Sequence, residues 1–191
     1  MQEKISQHIN QHIEVFQQVV PLLVADIERC AQLMCQALRN GNKILVMGNG
    51  GSAADAQHFA AELVGRFLKN RAALPAIALT TDTSILTAVA NDFGYEQVFS
   101  RQVEALANAG DVVVGISTSG NSANVQLALN LAHEQECHTV AFLGRDGGII
   151  APQVDLALTV AVNDTPRIQE VHLTLIHILC DLIESDLFVD N

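Results

Sequence analysis

The chain has 191 residues, of which 49% are hydrophobic and 16% are charged, and its formal net charge at pH 7 is −11. That length and composition favour one folded domain with a substantial core. The negative charge is opposite to the basic surface that binds nucleic acid, and no apolar run approaches the roughly 18 residues that a membrane-spanning helix needs. We therefore expect neither a nucleic-acid-binding protein nor a membrane protein.

The cysteines and the N-terminal segment indicate the compartment. The four cysteines lie in apolar stretches without C-x-x-C spacing, as reduced core cysteines do. The N-terminal segment is polar and amphipathic and lacks the apolar core of a signal peptide. These features predict a cytoplasmic protein.

Helical periodicity opens the chain, with amphipathic helices predicted at 4–20 and 22–38. Short apolar, β-branched strands then alternate with helices, which is typical of a parallel sheet covered on both faces. The strands are predicted at 43–47, 75–80, 111–117, 138–143 and 155–161. The remaining helices are predicted at 53–65, 83–90, 96–108, 121–135 and 167–187. The predicted fold is a three-layer, doubly wound α/β domain with a five-stranded parallel sheet, two extra N-terminal helices and a long C-terminal helix.

The last helix is apolar around most of its circumference, which indicates burial on all sides. In a domain of this size, a neighbouring subunit is the expected source of that burial. We predict an obligate oligomer in which residues 1–40 form oligomerisation helices and residues 1–191 form a single domain.

The first predicted strand runs into a glycine turn, from Gly48 to Ser52, and then into a helix. Gly50 and Gly51 allow positive φ and close approach of a ligand to the backbone. Ser52 is suited either to cap the helix or to bind a ligand. The turn lacks the lysine of a P-loop and the acidic residue of a dinucleotide site, so alone it is weak evidence.

The third predicted strand ends in a turn rich in hydroxyl groups, supplied by Ser117, Thr118, Ser119 and Ser122, with Gly120 at the bend. The free N–H groups of the following helix point to the same place, which makes an anion cradle without a lysine. An ordinary serine-rich turn with a helix cap is the alternative. In a doubly wound sheet both turns lie at the carboxyl edge of the strands, where ligands bind. The pair predicts a site for a phosphorylated small molecule.

Candidate chemical groups lie on the helix after the glycine turn. His58 and Glu62 are four residues apart and share one face, which suits metal binding or acid–base work. A solvated pair on a surface helix is the alternative. Arg66 either pairs with a phosphate or stabilises the helix C-terminus. Farther on, Asp92, next to Asn91, either caps a helix or holds a sugar hydroxyl.

The C-terminal helix places Gln169, Glu170, His172 and His177 in an otherwise apolar surface. A buried polar group without a partner costs roughly 1–3 kcal/mol, so partners are expected. A core histidine bonded to a backbone carbonyl is the alternative for either His. Gln169 and His177 are eight residues apart, about 12 Å along a helix. Either the helix begins irregularly near Pro166, or one site takes groups from two subunits.

Four segments in order carry a family resemblance: GNGGSAADAQHFAAELVGRF, NDFGYEQVFSRQVEAL, GISTSGNSANV and RIQEVHLTLIHIL. Together they resemble the sugar-isomerase (SIS) domain family, which has a flavodoxin-like sheet, and within it the phosphoheptose isomerases. The resemblance covers nearly the whole chain. It implies a cytoplasmic homotetramer that converts sedoheptulose 7-phosphate into D-glycero-D-manno-heptose 7-phosphate through an enediol, for ADP-heptose and the lipopolysaccharide core.

The same resemblance implies residue roles and sites near subunit interfaces. It makes Glu62 and His177 the acid–base pair. The implied ligands of one zinc ion per subunit are His58, Glu62, Gln169 and His177. The implied substrate-binding residues, with Ser52 added from the glycine turn, are Asn49, Gly50, Gly51, Ser52, Glu62, Asn91, Asp92, Ser117, Thr118, Ser119, Ser122 and Gln169.

Two alternatives and one departure accompany the resemblance. The DnaA initiator-associating protein, a non-enzymatic adaptor in replication initiation, is a close relative, but Glu62, His177 and the unbroken STSGNS segment favour the enzyme. A regulatory SIS module would need a further domain, for which 191 residues leave no room. Thr165 and Pro166 stand where some members carry an aspartate, which leaves the start of the last helix open.

Overall fold

The computed structural model describes residues 1–188, which form one parallel sheet of five strands with helices on both faces. The strands are β1 (Ile44–Gly48), β2 (Ala76–Ala78), β3 (Val112–Ser117), β4 (His138–Gly144) and β5 (Leu156–Val160). The α-helices are α1 (Gln2–Val19), α2 (Val24–Arg39), α3 (Gly51–Val64), α4 (Thr83–Phe93), α5 (Ser100–Leu106), α6 (Ala123–Glu134) and α7 (Thr165–Leu187). The predicted fold class is confirmed.

Two elements differ most from their predicted extents. β2 has three residues instead of the predicted 75–80, because it is an edge strand and Pro75 has no N–H to extend the ladder. The helix predicted at 96–108 is a three-ten turn, Tyr95–Gln97, followed by the shorter α5. A second three-ten turn, Val20–Leu23, separates α1 from α2 and contains Pro21.

The strand order β2-β1-β3-β4-β5 explains where a ligand can bind. β2 lies on one side of β1, and β3, β4 and β5 follow in order on its other side. The direction in which strands are added therefore reverses between the neighbouring strands β1 and β3. Open α/β sheets bind ligands beyond the carboxyl ends of the strands at such a switch point. The glycine turn after β1 and the hydroxyl turn after β3 therefore flank one crevice.

Alternate strand residues enter two separate hydrophobic clusters, one on each face of the sheet. Ile44 and Val46 of β1 pack with α2, α3 and α7, whereas Leu45 and Met47 pack with α5 and α6. All four side chains are fully buried. This period of two is the expected consequence of the pleat, and it holds the helices that carry the candidate site rigidly against the sheet.

α7 is buried along one face inside its own chain, so this part of its burial needs no neighbouring subunit. Its buried apolar residues recur at intervals of three and four and pack against α2 and α3, while Leu182 on the other side is 38% exposed. A single apolar stripe is sufficient to dock a helix. Within residues 1–188, no helix combines the length and apolarity needed to span a bilayer.

His172 is a core histidine, as the plainer alternative proposed. It is fully buried, and its Nε2 lies 3.0 Å from the carbonyl oxygen of Leu143. Burial lowers the pKa of the imidazole to about 4, although the bond to that carbonyl acts in the opposite direction. His172 is therefore neutral at pH 7 and supports packing of α7 on β4.

Candidate active site

The glycine turn places α3 close to α7. Gly50, with φ of +58°, is the residue that precedes α3, so Ser52 lies within the first helical turn and is not the cap. Ser52 is buried. A Cβ on Gly51 would collide with the amide nitrogen of Gln169. Glycine at position 51 therefore allows the Gln169 side chain to lie directly over the turn.

Asn49, at the other end of the glycine turn, is held by two residues that the sequence did not indicate. Its side-chain amide exchanges two hydrogen bonds of 2.9 Å with the amide of buried Asn124, the second residue of α6. The hydroxyl of Tyr95 donates to Asn49 Oδ1 at 3.0 Å. This network joins the loops after β1 and β3 across the switch point.

The hydroxyl turn gathers its side chains around the start of α6. The Oγ of Ser117 lies 2.9 Å from Oγ of Ser122 and 3.4 Å from Oγ of Ser119. Ser122 occupies the cap position but makes no side-chain capping bond, so hydroxyl groups and helix N–H groups face the crevice together. This arrangement suits an anionic group. Thr118 lies between them and is half-buried.

Gly120 lets the hydroxyl turn close against a second loop. Its φ is +66°, and a Cβ there would collide with the backbone of Gly147. The N–H of Asn121 donates to Ser119 Oγ at 3.1 Å, which fixes that side chain. The cradle is thus held in shape by its own backbone.

His58, Glu62 and His177 come together between α3 and α7. The Nε2 of His58 lies 3.2 Å from Oε1 of Glu62 and 3.1 Å from Nε2 of His177. The ring of Phe67 stacks on the ring of His177, with centroids 5.5 Å apart. The predicted pairing on one face of α3 is present, and α7 supplies the third group from 119 residues away.

Gln169 lies apart from these three groups within the chain. α3 and α7 pack side by side so that Gln169 meets Gly51 and His177 meets His58. Eight residues of helix separate Gln169 from His177, about 12 Å. α7 is continuous from Thr165, so the irregular start considered from the sequence is excluded.

The remaining predicted residues occupy the rim. Asn91 and Asp92 lie in the last turn of α4 and are exposed, and the amide of Asn91 donates to Asp92 Oδ1 at 2.8 Å. Asp92 is therefore inside a helix and caps none. Arg66 follows Gly65, beyond the end of α3, and is exposed.

Comparison with known proteins decides the family. The family model of the SIS domain matches residues 7–144. The phosphoheptose isomerase of Geobacter sp. strain M21 is 62% identical over 99% of this chain and 98% of its own length. The chain belongs to the phosphoheptose isomerase family. The members of this family are isomerases.

Solved structures of the phosphoheptose isomerase family have the same architecture. The phosphoheptose isomerase of Neisseria gonorrhoeae superposes with a TM-score of 0.92 at 53% identity, over 96% of this chain and 98% of that one. The enzyme of Francisella tularensis gives 0.93 at 38% identity, over 96% and 97%. The resemblance drawn from the four sequence segments is confirmed.

The zinc site that the phosphoheptose isomerase resemblance implies is compatible with the donor types present. Two nitrogens bound to one tetrahedral zinc at about 2.05 Å are roughly 3.3 Å apart, and the two imidazole nitrogens are 3.1 Å apart. Imidazole and carboxylate are both zinc ligands. Within the described residues, no group of three or more His, Cys, Asp or Glu is already arranged to hold a metal ion.

A carboxylate that the sequence did not single out also faces this part of the phosphoheptose isomerase site. Asp55 lies one turn before His58, and its Oδ2 is buried without a hydrogen-bond partner among the described residues. Burial raises the pKa of this carboxyl, and the neighbouring His58 acts against that shift. Asp55, Gly51 and Gln169 line a cavity of about 410 Å³. A larger cavity, about 640 Å³, lies between α5 and α6 and contains none of the predicted site residues.

Proposed function

We propose that the protein interconverts sedoheptulose 7-phosphate and D-glycero-D-manno-heptose 7-phosphate. The supporting comparison is the 62% identity to a phosphoheptose isomerase over nearly the full length of both chains. The observation that carries the proposal is the contact of His58 on α3, the helix that begins at the glycine turn, with both Glu62 and His177. A carboxylate–imidazole group for proton transfer and a hydroxyl-lined cradle for a phosphate are what an aldose–ketose isomerisation of a sugar phosphate needs.

Proton transfer in this reaction is balanced by two groups. One of Glu62 and His177 removes a proton from C1 of the ketose, and the other gives a proton to the C2 oxygen, which forms the enediol. The reverse roles then remove the proton from the C1 oxygen and deliver a proton to C2, which yields the aldose. Positioned general acids and bases contribute about 10²–10⁴-fold each to such rates.

The hydroxyl turn binds the phosphoryl end of the substrate in this proposal. Ser117, Ser119 and Ser122 donate hydrogen bonds to phosphoryl oxygens, and the N–H groups at the start of α6 add their positive end. A net charge of −11 repels an anionic phosphoryl group. The hydroxyl hydrogen bonds and the positive end of the α6 dipole offset that repulsion locally. Asn49, braced by Asn124 and Tyr95, faces the middle of the sugar.

We also propose that His58, Glu62 and His177 hold a zinc ion together with Gln169 of another copy of the chain. Bound zinc supplies Lewis-acid polarisation of a carbonyl oxygen. The 12 Å separation along α7 supports a contribution by a second copy, because one chain does not bring Gln169 to the other three groups. A cytoplasmic homotetramer, with residues 1–40 as its contact helices and a product used for the lipopolysaccharide core, completes the proposal.

The isomerase assay tests this function directly. Purified protein supplied with zinc should convert sedoheptulose 7-phosphate into the heptose 7-phosphate, with product identified by chromatography. Fructose 6-phosphate serves as a control substrate with one carbon fewer. A folded, zinc-loaded protein without turnover would contradict the proposal.

A further inference from the structure

Arg71 and Glu184 form a buried ion pair beside the candidate site. Nε of Arg71 lies 3.0 Å from Oε1 of Glu184, and the two side chains are 2% and 1% exposed. Burying two charges is costly, and such a pair persists only where further hydrogen bonds satisfy it. The partners of this pair lie at the end of α3, which carries Glu62, and in the loop that follows it, which carries Phe67.

Arg71 binds the end of α3, which carries Glu62. Nη2 of Arg71 donates to the carbonyl oxygen of Glu62 at 2.8 Å, and Nη1 donates to that of Leu63 at 2.6 Å. The last carbonyls of a helix lack intrahelical partners, and a cation there also interacts favourably with the helix dipole. Arg71 therefore fixes the backbone from which the Glu62 side chain projects.

Glu184 binds the segment that lies against His177. Its carboxylate accepts hydrogen bonds from the N–H groups of Phe67, Leu68 and Lys69 at 2.8, 2.9 and 2.8 Å. Burial alone would raise the pKa of this carboxyl, but the three N–H groups hold it below its ordinary value. Phe67, fixed in this way, stacks on the His177 ring.

We propose that Arg71 and Glu184 are positioning residues that set Glu62 relative to His177 for proton transfer. The inference rests on the proposed function, in which Glu62 and His177 are the acid–base pair. Neither Arg71 nor Glu184 touches the substrate: one acts through a backbone carbonyl and the other through the Phe67 ring. Misplacement of a catalytic group by about 1 Å can cost about 10²-fold in rate.

A carboxylate-to-amide pair of variants separates positioning from stability. Glu184→Gln is the test, and Asp111→Asn is its matched control. Asp111 is also 1% exposed and paired with a cation, Lys43, at 2.6 Å. It accepts backbone N–H bonds from Lys43 and Asn108, but these partners belong to neither α3 nor α7. Both substitutions should lower thermal stability.

The expected difference is in kcat per folded active site. Glu184→Gln should lower kcat about 10- to 100-fold with KM within about twofold, whereas Asp111→Asn should leave kcat unchanged. Arg71→Lys, which keeps the charge but cannot bind both carbonyls as a fork, should also lower kcat and is measured if Glu184→Gln does not fold. Unchanged kcat in Glu184→Gln, or an equal loss in Asp111→Asn, would overturn the inference.

A second measurement is independent of turnover. The Phe67 ring should shift the NMR signals of the His177 ring protons in metal-free protein, and Glu184→Gln should move those signals while Asp111→Asn should not. Wild-type protein without isomerase activity would refute the proposed function alone. Signals of His177 that stay in place in Glu184→Gln would refute the positioning role alone.

Discussion

The Nε2 atoms of His58 and His177 lie 3.1 Å apart and can share a single proton. When both rings are neutral, one imidazole donates and the other accepts in that contact, so the two rings carry different tautomers. Oε1 of Glu62 lies 3.2 Å from the same nitrogen of His58. A proton and a metal ion would compete for the Nε2 atoms of the two histidines, which couples metal affinity at the site to pH.

Removal of either proposed acid–base group should abolish most turnover. Glu62→Gln and His177→Ala should each lower kcat by at least about 10²–10⁴-fold, while gel filtration shows an unchanged assembly. Glu104→Gln, which alters a carboxylate on the exposed side of α5 that is 54% accessible, is the control. Near-normal turnover in either site variant would disprove the assignment.

The histidine cluster should govern metal content. We expect about one zinc per chain in purified protein, measured by elemental analysis, and loss of turnover after chelation with recovery on zinc addition. His58→Ala should lose the metal, since it removes the imidazole that contacts both other groups. His133→Ala, at a histidine 66% exposed on α6, should retain it. Equal zinc content in both variants would argue against the site.

Loss of a hydroxyl from the cradle should weaken substrate binding. Ser119→Ala should raise KM about tenfold or more, because a hydrogen bond to a charged group contributes about 1.5–3 kcal/mol. Its kcat should change less, since the acid–base groups are untouched. Ser185→Ala, on the exposed side of α7, is the comparison. A kcat effect without a KM effect would place Ser119 outside the phosphate contacts.

Enlarging Gly51 tests the place of Gln169. Because an added Cβ meets the amide of Gln169, Gly51→Ala should displace that flexible side chain and reduce kcat/KM with little loss of stability. The double variant Gly51→Ala, Gln169→Ala should then be no worse than Gln169→Ala alone. Additive losses in this cycle would show that the two residues act separately.

His172 should make stability depend on pH. Its folded-state pKa of about 4 lies below the unfolded value of 6.5, so the unfolded chain binds more protons in between, and stability falls as pH falls through that window. The depression corresponds to about 3 kcal/mol at most. Denaturant unfolding of His172→Gln, which keeps a donor to Leu143, should show a flatter pH dependence between pH 4 and 6.5 than wild type. An identical slope would exclude the contribution.

The elements that the sequence predicted well are those set by local patterns. β1, β3 and β4 are continuous apolar runs buried on both faces, and the turns after β1 and β3 carry the glycine and hydroxyl groups that predicted a ligand site. The pairing of His58 with Glu62 followed from one helical turn. Once the order of the strands is known, the switch point between β1 and β3 follows from it.

The contacts that the sequence missed are long-range and depend on side-chain direction. Arg71 pairs with Glu184 across 113 positions. Nothing in the sequence around either residue indicates this pair, or that Arg71 binds the last carbonyl groups of α3. Asn124 and Tyr95 were not singled out from the sequence, because their hydrogen bonds to Asn49 span 75 and 46 positions. The face of α7 that is buried within the chain could not be assigned from the sequence, because α2 and α3 are brought to it by the tertiary fold.

The parallel packing of α3 and α7 has a consequence for which sugars can react. The glycine turn and His58 are separated by seven residues of α3, which is about 10.5 Å along the helix axis. In the proposed reaction, a substrate seated at the sheet edge must extend along α3 by about that distance to bring its carbonyl carbons to the imidazoles of the same chain. α3 thus sets a minimum length for a reactive sugar phosphate, and a shorter one would bind without its carbonyl carbons reaching the proton-transfer groups.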